Sequence, residues 1–108
     1  MGVIVRAKIR EFSNAVARQF RPEKIILFGS YAHATPTEES DVDLLVIMPF
    51  KGRPIRKSLE IRQRIRADFA LDLLVRTPQT IAQRLAWDDC FIQEILAKGK
   101  VLYEAHHS

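Results

Sequence analysis

Two aspartates, Asp41 and Asp43, stand at the mouth of the apolar run Leu44-Leu45-Val46-Ile47, and a Gly29-Ser30 pair lies upstream behind a second apolar run. In an extended segment, residues two apart share a face with Cα atoms roughly 6.6 Å apart, so both carboxylates aim at one spot while Val42 and Leu44 turn away. At a separation of a few ångströms two such charges repel by roughly 4 kcal/mol at an effective dielectric near 20, and a divalent cation between them turns repulsion into attraction. Asp72 adds a third acid, set inside the apolar run Leu71-Asp72-Leu73-Leu74-Val75, where an ionised group needs a cation or donors. Hard oxygen ligands without a nearby Cys or His favour Mg²⁺ or Mn²⁺ over zinc. Plainer readings stand beside this one: Ser40 and Asp41 cap a turn with Asp43 exposed at the start of a strand, and Asp72 is an edge-strand carboxylate facing water. Gly29-Ser30 supplies a complementary wall, since glycine after a buried strand allows close backbone approach and the following turn offers N–H groups and a hydroxyl to an anion. Acids on one side and a phosphate cradle on the other predict a metal–triphosphate site.

The elements that must position these residues are legible in the periodicities. Val5, Ile9, Phe12, Val16 and Phe20 recur at spacings of three and four, which is one face of a helix closed by Pro22. Lys24 to Phe28 reads as a buried strand ending at the Gly29 turn, and Val42 to Met48 as a second, stopped by Pro49 and Gly52, both facing core on both sides. From Pro54 to Asp68 the apolar Ile55, Leu59, Ile61 and Ile65, continued by Phe69, form one stripe of a helix whose outer face carries Arg56, Lys57, Arg62, Arg64 and Arg66. Leu71 to Arg76 is a third strand. Thr77-Pro78 is an N-cap followed by N1 of one helix, or of two broken near Trp87-Asp88-Asp89, with Ile81, Leu85, Phe91, Ile92, Ile95 and Leu96 as its apolar positions and Gly99 as its C′ residue. Val101-Leu102-Tyr103 adds a short edge strand. This order predicts an α/β (α+β) layer fold with a small mixed sheet flanked by helices. A right-handed crossover through the basic helix would make the second and third strands parallel neighbours and bring Asp72 beside Asp41 and Asp43.

The 108 residues suit one domain, with a core from about residue 5 to 104 and a frayed tail at 105–108. With 47% hydrophobic and 28% charged residues, the composition is that of an ordinary globular protein rather than a disordered one. A formal charge of +4 favours anionic partners in general. The single Cys90 excludes an internal disulfide framework. No signal-peptide core and no membrane-length apolar run is visible, so a cytoplasmic protein is expected. The chain lacks the aromatic interleaving of a single-strand platform, so direct nucleic-acid binding is not expected.

Gly29-Ser30, nine residues, then Ser40-Asp41-Val42-Asp43-Leu44 resembles the GS-x9-[SD]-D-x-D signature of the DNA polymerase β-like nucleotidyltransferases. Ile26 to Ala32 and Gly99-Lys100-Val101-Leu102-Tyr103-Glu104 look most like the minimal nucleotidyltransferase (MNT) group, over roughly Lys24 to Glu104. The resemblance implies transfer of a nucleoside monophosphate, AMP from ATP in the simplest case, to a hydroxyl. It assigns Mg²⁺ to Asp41 and Asp43, with Asp72 as a third ligand helping to activate the nucleophile, and nucleotide binding to Gly29, Ser30, Ser40 and His33. Many members of the group are antitoxin partners of HEPN-domain toxins, and some silence the toxin by adding AMP to a tyrosine. A HEPN-domain partner forming a hetero-oligomer with this chain is therefore expected, and would stand in for a substrate-recognition domain. A non-catalytic antitoxin that neutralises by complex formation is the alternative. The basic helix has three readings: a solvated face, a surface toward an acidic partner, or a surface toward the nucleotide. One departure stands out, since the group carries Ala-Arg-Gly where this chain has Ala32-His33-Ala34. That replaces a phosphate-side cation and removes a glycine that tolerates the left-handed conformation.

Of the remaining residues, Trp87 is expected to be half-buried at a helix break, Cys90 to be a small core residue, and His106 and His107 to belong to the tail.

Overall fold

The computed structural model describes residues 2–32 and 41–105. Their order is α1 (Gly2–Phe20), β1 (Lys24–Phe28), a 3-10 turn (Gly29–Ala32), β2 (Val42–Ile47), α2 (Pro54–Arg64), β3 (Leu71–Arg76), α3 (Pro78–Ala86), α4 (Cys90–Lys98) and β4 (Lys100–Glu104). The four strands form one mixed sheet in the order β3-β2-β1-β4. β1 runs antiparallel to β2 and β4, whereas β2 and β3, joined through α2, run parallel. The mixed α/β architecture expected from the element order is the one present.

Strand alternation divides the core into two layers. Ile25, Leu27, Val42, Leu44, Val46, Leu73 and Val75 face α1 and α2, where they meet Ile9, Phe12, Val16 and Ile61. Ile26, Leu45 and Ile47 face the other way and pack on Ile81 of α3 and Ile92 and Ile95 of α4. With helices on both faces, β1 and β2 have buried residues on both sides, as an unbroken apolar strand requires. α2 is tied to the sheet by Ser58, whose buried hydroxyl donates to the Leu73 carbonyl at 3.1 Å.

Several boundaries and exposures differ from the sequence expectation. α2 ends at Arg64, four residues before Asp68, because Ile65 turns to an extended conformation at the C-cap. Ile61 and Ile65 are buried there, but Ile55 and Leu59 are 63% and 50% exposed, so the stripe is narrower than its periodicity indicates. α2 covers the sheet face opposite Asp43, and Lys57 and Arg64 lie over the Phe20 ring at 5.6 and 5.5 Å while Arg62 donates to the Leu71 carbonyl. The nucleotide reading of that helix is therefore corrected. The C-terminal apolar segment is two helices, broken where Asp88 takes a positive φ of 58°. Trp87 is 64% exposed rather than half-buried, and Cys90 is an exposed free thiol rather than a core residue, since only Ile92 and Ile95 of α4 turn inward.

Gly99 ends α4 but is not a left-handed C′ residue; its φ is −70°. Its small size serves close packing, because a Cβ there would lie 2.5 Å from the Ile95 carbonyl oxygen and 2.6 Å from Ile26 Cγ2. No helix of the described residues is long and apolar enough to cross a membrane. The tail histidines, His106 and His107, lie outside the described residues.

Candidate active site

The parallel pairing of β2 and β3 sets Asp43 directly opposite Asp72, and the antiparallel pairing with β1 sets Phe28 on its other side. Phe28, Asp43 and Asp72 therefore form one row across three strands, on the face that α3 and α4 cover further along. Leu45 and Leu74, the next pair on that face of the sheet, belong to the apolar layer under those helices. The acids thus begin where the apolar cover stops. Asp41 lies two residues before Asp43, at the approach to β2, and both Asp41 and Asp72 are exposed while Asp43 is half-buried.

The Asp43 carboxyl is held above the ordinary aspartate value, first by burial, then by the negative charges of Asp72 and Asp41. Each cause disfavours the ionised form of Asp43. Asp43 is thus the carboxylate that feels the negative charge of the other two. Among the described residues, no three His, Cys, Asp or Glu side chains are gathered closely enough to hold a metal ion as placed. Ligation would need the exposed side chains of Asp41 and Asp72 to turn toward Asp43. The donor set itself, carboxylate oxygens alone, fits a hard divalent cation such as Mg²⁺ or Mn²⁺.

Gly29, the first residue after β1, faces the same carboxylate. Its φ is +72°, and a Cβ built there would fall onto Asp43 Oδ2. Both facts demand glycine: one is conformational, the other is the space taken by an acid from a neighbouring strand. The 3-10 turn that follows exposes Ser30 and buries Tyr31 and Ala32, so the turn is anchored by its second half and presents its first. Ser40 and His33, the other expected nucleotide contacts, lie outside the described residues, as does Ala34.

A cleft of about 270 Å³ opens beside these groups, with Gly29, Ala32 and Asp43 on one side and Phe91, Glu94, Ile95 and Lys98 of α4 on the other, and Phe28 between. The α4 residues are spaced i, i+3, i+4 and i+7, one face of a helix. Sequence reasoning missed this wall because Phe91 resembled one more core position. The available signal was the Glu94 and Lys98 pair on the same helical face as Phe91, which a purely buried stripe would not carry.

The polymerase beta nucleotidyltransferase domain matches residues 10–108. The chain belongs to that family. This nucleotidyltransferase is also 32% identical, over 97 residues, to the Methanocaldococcus jannaschii protein named "Putative protein adenylyltransferase MJ0604". The similarity covers 88% of this chain and 94% of that relative. The fold of the nucleotidyltransferase, a four-stranded mixed sheet flanked by helices, agrees with the family.

Proposed function

We propose that this nucleotidyltransferase transfers AMP from ATP to a hydroxyl of a partner protein, a tyrosine of a HEPN-domain toxin, and thereby acts as an antitoxin. The opposition of Gly29 and Asp43 carries the nucleotide half of this reading: a backbone turn able to meet phosphate oxygens stands against a carboxylate that disfavours its own charge. The protein-directed half is supported by the name of the archaeal relative, and the HEPN partner by the resemblance of the Gly29 to Leu44 and Gly99 to Glu104 motifs to the MNT group.

Asp41, Asp43 and Asp72 would hold Mg²⁺, which when bound neutralises phosphate charge and stabilises the attacking and leaving oxygens of an in-line displacement. The chain's own residues supply the rest. The turn at Gly29 and Ser30 orients the β- and γ-phosphates, so that pyrophosphate departs toward backbone N–H groups and the Ser30 hydroxyl. Asp72, exposed at the open edge of the row, would take the proton of an incoming hydroxyl. Asp43, between Asp72 and Gly29, ties the nucleophile's side to the phosphate side.

The test is incubation with Mg²⁺, labelled ATP and the HEPN-domain protein. Label on a toxin tyrosine, lost on chelation and in an Asp41→Ala/Asp43→Ala variant, is the expected result. The non-catalytic reading draws support from the open arrangement of the acids. It would prevail if no label transferred and toxin neutralisation survived the double substitution.

A further inference from the structure

α4 buries Ile92 and Ile95 but leaves Phe91, between Asp89 and Ile92, 52% exposed. The ring is not adrift on the surface. It packs against Phe28 edge-to-face, with centroids 5.8 Å apart and planes at 85°, and it lines the cleft that contains Gly29 and Asp43. Phe28 is the link: it immediately precedes Gly29, pairs with Asp43 across the sheet, and braces Phe91 with its ring. An aromatic ring fixed by a neighbour on one side and open on another is a stacking platform, because a planar π-face can cover it without repacking the core.

We infer that Phe91 is the base platform of the nucleotide site, stacking the purine of the bound nucleoside triphosphate. This rests on the reading that Gly29 and Asp43 take the triphosphate end. A nucleotide with its phosphates there has its base along the α4 wall, where Phe91 offers the one aromatic face among the α4 residues lining the cleft. Stacking discriminates by π-surface rather than by hydrogen-bond pattern, so purines are preferred to pyrimidines and ATP is distinguished only weakly from GTP at this position.

The experiment measures Mg²⁺-dependent binding of ATP, GTP, CTP, UTP and inorganic tripolyphosphate by calorimetry to the wild-type chain and to Phe91→Ala, Phe91→Leu and Phe91→Trp. The expected result is an ATP affinity about 5- to 150-fold weaker in Phe91→Ala. Phe91→Leu should resemble Phe91→Ala, Phe91→Trp should restore or exceed wild-type binding, and tripolyphosphate should bind all four alike. Unchanged ATP affinity in Phe91→Ala overturns the platform and leaves the nucleotidyltransferase reading intact. An equal loss for ATP and tripolyphosphate, or no rescue by Trp, also overturns it, since Phe91 then acts only through the shape of α4. If the wild-type chain binds neither ATP nor tripolyphosphate, both readings fall together.

Discussion

Gly29 and Asp43 occupy each other's space: at φ +72° the glycine leaves its Cβ position to a carboxylate oxygen of the neighbouring strand. The turn proposed to meet phosphate and the acid proposed to meet metal therefore form one unit, so a change to either is felt by both.

Gly29→Ala should be costly for two separable reasons. Left-handed strain and overpacking against Asp43 together are expected to destabilise the fold by about 2–4 kcal/mol in urea unfolding. In an Asp43→Ala background the collision is gone, and the same substitution should cost only the backbone strain, about 1–2 kcal/mol. Equal costs in the two backgrounds would show that the residues do not share space.

Asp43 is expected to trade stability for function. Its folded pKa is raised by burial and by Asp72 and Asp41, so the folded protein holds this proton more tightly than the unfolded chain. The corresponding stability is full below the ordinary aspartate pKa and is lost as pH rises through the raised value. Near neutral pH, without divalent cations, Asp43→Asn should therefore melt at a higher temperature than wild type, with the advantage vanishing in acid. Mg²⁺ should raise the melting temperature of wild type and leave the variant unmoved, while transfer falls at least about 100-fold. A variant that melts lower at neutral pH contradicts the sign.

Asp89 caps α4, its carboxylate accepting from the backbone N–H of Phe91 at 3.0 Å and of Ile92 at 3.2 Å. Asp89→Ala should cost about 1 kcal/mol of stability. Because α4 forms the cleft wall, KM for the nucleotide should rise with kcat less affected. Thr77→Ala removes the equivalent cap on α3, whose residues do not line that cleft, and should match the stability loss with KM unchanged. Identical KM effects from the two would place the cleft wall elsewhere.

Ser13 is buried in α1 with no hydrogen-bond partner for its hydroxyl among the described residues. An unsatisfied buried hydroxyl is destabilising, so Ser13→Ala should be neutral or more stable by up to about 1 kcal/mol in the same unfolding assay. A clear loss would reveal a partner for that group.

What was legible from residues alone follows from local rules. Apolar periodicity marked α1, the strands and the capped start of α3 because a helix or strand face must find cover wherever it lies in the fold. Asp41, Asp43, Asp72 and Gly29 stood out because a charge in an apolar run, or a glycine at the end of one, conflicts with its surroundings unless a ligand resolves the conflict. What the sequence could not decide was which faces are shared. The apolar stripe of α2 includes Ile55 and Leu59, yet the short contact with the sheet covers only part of the helix. The arginines of α2 were compatible with a nucleotide until strand alternation put Asp43 on the opposite face.

By itself, then, the sequence determined the types of group at the site and the elements that carry them, since spacing, burial and charge are properties of neighbouring residues. The tertiary structure alone decided that Asp43 faces Asp72 across a parallel pair, that its oxygen occupies the missing Cβ of Gly29, and that Phe91 lines the cleft instead of the core. Those relations depend on register and on the seating of α4, which are set by packing between segments distant in the chain.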